Sequence, residues 1–248
     1  MKLGIMQPYF FPYLGHFALI AHTDAWVVFD VTQYTPKTWM NRNRILHPKE
    51  GWNYLSVPLA NSSISIKTCE VKVLNCTDTR RSVLGKLSHY KNKAPYYRAV
   101  EALVQDAMID SADASLVHLN VRGLQAVCRY LGLAFNYRIC SELTLGLPEK
   151  LPAGGWAPVI CSQLGASSYV NPVGGRDLFD PADFAARSIE LAFLSFDGFS
   201  YDTGPYRFEP GLSILDVLMW NAPEQIVQAL RSGSTLQSPA QLPSGLAQ

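Results

Sequence analysis

Leu3-Gly4-Ile5-Met6, Gln7-Pro8-Tyr9-Phe10-Phe11-Pro12-Tyr13, Leu14-Gly15-His16-Phe17-Ala18-Leu19-Ile20 and Trp26-Val27-Val28-Phe29-Asp30 follow one another with almost no slack. An apolar run of strand length meets a proline-rich turn, then a segment with helical spacing through Phe17, Leu19 and Ile20. A second apolar run follows, closed by an acid. Strand, helix and strand within thirty residues make the shortest parallel crossover, since parallel strands cannot be joined by a tight turn. Ligand pockets of α/β proteins form at the carboxyl ends of such strands, so this segment marks a site before it marks a reaction.

Working outward, residues 52–58 and 69–74 alternate like strands on either side of an Asn61-Ser62-Ser63 turn. Helical spacing follows at 80–90, 96–109 and 114–131. In the last, Leu116, Leu119, Leu124, Val127 and Leu131 recur on one face and Gly132 is a natural stop. Residues 136–141 read as a strand, 147–156 as a loop, 158–164 as a short helix, and 168–171 as a strand feeding Pro172-Val173-Gly174-Gly175. A strand at 189–196 and helices at 214–219 and 223–230 complete the pattern. The expectation is an α/β protein with a largely parallel, Rossmann-like layered sheet and helices on both faces. Residues 1–232 form one domain, with about 80–131 as a candidate helical subdomain, and the Ser/Gln/Pro-rich 233–248 form a flexible tail.

The chain has 248 residues, 48% hydrophobic and 17% charged, with a net charge of +1. That supplies a full core and argues against a nucleic-acid scaffold or a polybasic membrane binder. Five cysteines, an odd number with no C-x-x-C pair, fit reduced thiols better than a disulfide frame or a zinc site. The start is too short in apolar residues for a signal peptide and no run approaches a membrane span. A cytoplasmic location is therefore expected, with no metal and no cofactor.

Two clusters could carry chemistry. The first is Gln7 to His16, where free backbone N–H groups at a helix start suit an anion and His16 can add a proton or a hydrogen bond. The same aromatics fit a core and the same histidine fits a cap. In the second, Asp30 ends a strand and can accept a proton or hold a hydroxyl. Arg42 offers a planar fork to carboxylate or phosphate, and Asn43 both donates and accepts. An Asp30–Arg42 structural pair explains that pattern equally. Asn171 with Gly174 and Gly175 can form an anion nest or a plain turn. Ser213 with Asp216 reads as a helix cap. No G-x-S-x-G elbow, phosphate-binding loop or H-x-x-x-H pair is present.

Tyr13-Leu14-Gly15-His16 is similar to a degenerate His-x-Gly-His signature of nucleotidylyltransferases, with tyrosine in place of the first histidine. A broader resemblance is carried by residues 6–15, Asp30-Val31-Thr32-Gln33-Tyr34, and Trp39-Met40-Asn41-Arg42-Asn43-Arg44-Ile45. It continues through Tyr90 with Lys93-Ala94-Pro95-Tyr96-Tyr97, Tyr169-Val170-Asn171-Pro172-Val173-Gly174-Gly175, and residues 212–218. These segments resemble the WbqC-like family, whose members occur among bacterial surface-polysaccharide genes. The family more often has an aromatic where His16 stands, and charged residues where Gly154-Gly155-Trp156 stand. The residue readings and the resemblance together give Gln7, Tyr9, Tyr34, Trp39, Arg42, Asn43, Asn171, Gly174, Gly175, Ser213 and Asp216 as a substrate-binding set, and the chemistry of the residues themselves makes His16 and Asp30 the catalytic candidates.

What the resemblance implies is a polysaccharide context, and the residues allow amide formation. A neutral amine attacking an activated acyl group needs a base and oxyanion donors but no nucleophilic side chain. The leading expectation is an acyl or aminoacyl transferase acting on an amine of a sugar or small metabolite, with an acyl carrier protein as the partner that a thioester donor would require. A nucleotide-dependent ligase and a non-catalytic sugar-nucleotide or partner-binding module are the alternatives. No nucleic-acid or membrane partner is expected.

Overall fold

The computed structural model describes residues 1–109 and 113–242. Strand β1 (Lys2–Met6) leads through the proline-rich loop to α1 (Leu14–Ala21), which returns the chain to β2 (Ala25–Val28), parallel to β1 in the register Ile5 to Val27. A separate antiparallel hairpin follows, β3 (Arg42–Leu46) with β4 (Trp52–Ser56). Helices α2 (Cys76–Leu87), α3 (Tyr97–Ala107) and α4 (Leu116–Leu131) lead to β5 (Tyr137–Ile139) beside β2. Helix α5 (Trp156–Gln163), β6 (Ser168–Pro172), α6 (Pro181–Ala185) and β7 (Glu190–Phe196) come next, then α7 (Ile214–Trp220), α8 (Pro223–Ser232) and β8 (Ser234–Gln237).

The main sheet runs β5-β2-β1-β6-β7-β8, parallel except for β8. From β1 the chain winds outward to β2 and β5, and from β6 it winds the other way. The gap between β1 and β6 is thus a topological switch point. Strand alternation splits the core in two. Leu3, Ile5 and Val27 join Ile160, Tyr169 and Phe184 on the α5–α6 face, whereas Trp26 and Val28 join Phe17, Leu124 and Leu218 on the face of α1, α4 and α7. Residues from α2, α3 and α4 belong to this second core rather than to one of their own.

Four local readings change. Residues 69–74 form no strand: Thr68–Glu70 is a 3-10 turn, and the chain beyond it is stitched by single bridges to two different segments, Val73 to Leu59 and Lys72 to Ser115. Its alternation reflects burial without a ladder. Conversely, the polar run containing Arg42, Asn43 and Arg44 is strand β3, whose apolar period is masked by the inward-facing Asn43. Residues 234–237 are not frayed but pair with β7, and the remainder of the expected tail, 243–248, lies outside the described residues. The backbone ladder orders this polar edge strand, and Ser234 Oγ donates to the Leu230 carbonyl at 2.6 Å. Helix α6 was missed although Asp180 accepts from Ala182 N at 2.9 Å and Pro181 opens it, an ordinary start signal.

Candidate functional site

A cleft of about 460 Å³ opens at the carboxyl ends of β1 and β6. Ile5 and Met6 from β1 and Tyr169 and Asn171 from β6 line it, and the loop after β1 adds Gln7, Tyr9 and Tyr13. Phe29 and Trp156, with ring centroids 5.8 Å apart, line it together with Leu178 and Phe179. Trp39, 41% exposed, also lines the opening. Gly174 and Gly175 belong to a 3-10 turn, Val173–Leu178, that closes the cleft beyond β6. Gly154 allows that closure: a Cβ there would come within 1.7 Å of the Leu178 carbonyl oxygen.

The polar atoms of this wall are neutral. Among the described residues no Asp, Glu, His, Lys, Arg or Cys lines the cleft. Asn171 is oriented by its Nδ2 donating to the Pro172 carbonyl and its Oδ1 accepting from the Tyr169 hydroxyl, both at 2.9 Å. Burial raises the Tyr9 and Tyr13 phenols above their usual range, with Tyr13 adding to the effect on Tyr9. Both stay protonated at neutral pH and can donate hydrogen bonds. Such a surface suits stacking against a ring with a few oriented amides around it.

The loop that supplies Gln7, Tyr9 and Tyr13 is held under strain. Phe11 has φ 38°, an uncommon backbone for a bulky residue. Its carbonyl accepts from Asn43 Nδ2 at 2.8 Å and from Ser213 Oγ at 2.7 Å. Asn43 also donates to the Phe10 carbonyl at 3.0 Å, and Asn120 on α4 donates to the Pro8 and Met40 carbonyls at 2.7 and 2.8 Å. Ile214 N at the start of α7 donates to Pro12 O at 2.8 Å. Three buried side chains and one helix start therefore fix the loop.

The expected residues divide accordingly. Gln7, Tyr9, Trp39, Asn171, Gly174 and Gly175 come together in the cleft. Asn43 and Ser213 lie behind it as braces, and Asn43 also touches a small adjoining cavity. Asp216 is fully buried between Tyr90 and Tyr201, accepting from their hydroxyls at 2.5 and 2.8 Å. Tyr34 is buried and donates to Asn41 Oδ1 at 3.2 Å. Arg42 lies 4.5 Å over the Tyr54 ring, outside the cleft lining.

The two catalytic candidates are not at the cleft surface. Asp30, expected at the pocket rim, is 0% exposed; its carboxylate accepts from Ser141 N at 2.9 Å and Ser141 Oγ at 2.6 Å. Burial raises its pKa and the Ser141 bonds oppose that rise. The strand ends at Val28, so alternation no longer governs position 30, and it is Phe29 that reaches the cleft. His16 is 1% exposed, its ring packed against Tyr9, Phe17 and Trp26, and neither ring nitrogen has a partner among the described residues. Burial pushes its pKa down to about 3, so it is neutral. The open helix start expected for an anion is covered as well: a Cβ on Gly15 would sit 2.4 Å from the Tyr13 ring.

Sequence reasoning missed Tyr13, Phe29, Trp156 and Phe179 as cleft residues. Tyr13 stood inside the quoted motif, and Trp156 inside the loop that departs from the family pattern. Phe179 carried no signal. All five cysteines are free thiols, and burial pushes Cys128, Cys140 and Cys161 up to about 12, leaving them protonated.

This arrangement is that of an α/β protein with a cleft at its switch point. The profile of the WbqC-like protein family matches residues 7–228, and the chain belongs to that family. It is similar to the uncharacterized protein Rv1507c of Mycobacterium tuberculosis, 29% identical over 222 residues that cover 88% of this chain and 92% of the relative. No solved structure matches it significantly. Among the described residues no helix is long and apolar enough to cross a membrane.

Proposed function

We propose that the protein forms an amide, transferring an acyl or aminoacyl group from an activated donor to an amine on a sugar or small metabolite bound between β1 and β6. The observation that carries this reading is the character of the cleft wall: aromatic faces, the Gln7 amide and the oriented Asn171 amide, neutral phenols, and no side-chain nucleophile among the described residues. In aminolysis of a thioester the nitrogen forms the new C–N bond and the C–S bond breaks. The proton shed by nitrogen ends on the departing thiolate. With the departing thiolate as the base, the protein has only to orient the amine and donate hydrogen bonds to the developing oxyanion, which neutral phenols and amides do. Gln7, Tyr9, Tyr13 and Asn171 are the donors within the cleft. Asp30 and His16 take no part in this version of the chemistry.

The polysaccharide context implied by the family resemblance makes an amino sugar, free or nucleotide-linked, the acceptor of choice. Incubation with an acyl carrier-protein thioester and a panel of amino sugars, followed by mass spectrometry, tests the reading. An amide product without an acylated form of the protein is expected, and Gln7→Ala or Asn171→Ala should slow its formation. A stable acyl-enzyme would overturn it. The uncharged wall also favours a second reading, a module that binds the sugar nucleotide without turning it over; tight binding with no product in the same assay selects that one.

A further inference from the structure

We infer that Arg44 forms an oxyanion subsite beside the cleft, so that the molecule bound there is acidic, carrying a phosphoryl or carboxylate group next to the ring that lies between β1 and β6. The inference rests on the reading that this cleft is the binding site. A cavity of about 180 Å³ adjoins it, and Tyr9, Tyr13 and Trp39 line both spaces. Pro12, Asn43, Arg44 and Gly211 complete the smaller one. Trp39 thus stands where a stacked ring and its anionic substituent would part into the two chambers.

Arg44 is held for such a role. Its guanidinium carbon lies 5.3 Å from the Trp39 ring and 5.1 Å from the Trp52 ring, and Nη2 donates to the Gly211 carbonyl at 3.3 Å. The group is bedded between aromatic faces, which fixes its plane and favours its charge. Its Nε, like that of Arg42, is buried and has no hydrogen-bond partner, and among the described residues no carboxylate pairs with Arg44. A buried guanidinium N–H without a partner is costly. Arg44 lines the small cavity, and a ligand oxygen there would meet N–H groups of a planar fork that no carboxylate among the described residues occupies.

Arg42 shares its face of β3, two residues away, but is stacked over Tyr54 and does not line the cavity. The planar fork expected of Arg42 from the sequence therefore falls to Arg44, one strand period further on.

Binding to the intact protein tests this, followed by tryptophan fluorescence and calorimetry, with inorganic pyrophosphate, uridine diphosphate, uridine and glucuronate as probes. Uridine diphosphate should bind at least about tenfold tighter than uridine, the scale of one charge-assisted contact, and less tightly as salt rises. Arg44→Gln should abolish that advantage while leaving uridine binding unchanged, and Arg42→Gln should preserve it. If Arg44→Gln does not fold, Arg44→Lys, which keeps the charge and loses the fork, should show a reduced advantage. Binding of glucuronate but not of pyrophosphate would assign the oxyanion as a carboxylate and still support the subsite. Anion binding that survives Arg44→Gln, or a wild-type protein that binds none of the anions, would overturn it. Amide formation indifferent to Arg44 would remove this inference alone; Arg44-dependent anion binding without amide formation would remove the functional reading alone.

Discussion

Asn43 Nδ2 donates to the carbonyl of Phe11 at 2.8 Å, and the Phe11 backbone at φ 38° is the strained point of the loop that carries Gln7, Tyr9 and Tyr13 into the cleft. Strain of this kind persists only where the surroundings over-determine it. Here Ser213 supplies the second bond to the same oxygen, and Asn120 fastens the loop three residues before the bend. Two polar residues of the family pattern, Asn43 and Ser213, thereby hold the backbone that carries three residues of the cleft wall.

Asn43→Ala should accordingly cost about 1–3 kcal/mol, since it takes the side-chain donor from the Phe10 carbonyl and one of two from the Phe11 carbonyl, and should weaken ligand binding together with stability. Denaturant melts of Asn43→Ala, Ser213→Ala and the double variant should show a coupling above about 0.5 kcal/mol, because both donors meet at one oxygen. Strictly additive effects would mean that the loop is held elsewhere.

His16→Phe should change the acid sensitivity of the fold. The His16 pKa is pushed down from 6.5 to about 3 by burial, so below the unfolded value the unfolded state binds the extra proton. The stability that neutral His16 contributes is complete above pH 6.5 and drains away as pH falls from there toward 3. Between pH 7 and pH 5 this amounts to roughly 2 kcal/mol at most. The Tm of wild type should drop over that interval by more than that of His16→Phe. Parallel curves would contradict the buried, unpartnered imidazole.

Trp39→Ala should leave the fold nearly unchanged, because the ring is 41% exposed. It should weaken ring binding by about tenfold, the worth of one aromatic stacking contact. Calorimetry beside a thermal melt separates the two effects.

Asp30→Asn should lower Tm, because it weakens the pair of bonds to Ser141, while ligand affinity and turnover stay within about twofold of wild type, below the effect of losing one hydrogen bond to a ligand. Loss of turnover at unchanged Tm would return Asp30 to the catalytic role that its position in the sequence first implied.

The opening crossover and the order of strands and helices were legible because alternation and helical spacing report burial directly. The cleft was legible in its location for the same reason: strand ends and the switch from β1 to β6 follow from topology. Side-chain roles were less so. Asn43, Ser213 and Asp216 are polar residues at motif positions, and nothing in residue type distinguishes an amide that faces a ligand from one that faces a strained carbonyl. Asn120 bonds to Pro8 across 112 residues of sequence, a contact that no local pattern encodes. Asp30 misled because β2 ends two residues before it. Two arginines share one face of β3, and only packing, against Tyr54 for Arg42 and against Trp39 and Trp52 for Arg44, separates their positions.

A crystal structure grown with a nucleotide-linked amino sugar tests the central claim most directly. The account predicts electron density between the ends of β1 and β6, with a ring against Trp39 and polar contacts to Gln7 and Asn171. Density confined to another surface, such as the open cavity between Arg129 on α4 and Arg231 on α8, with the switch-point cleft empty, would contradict it.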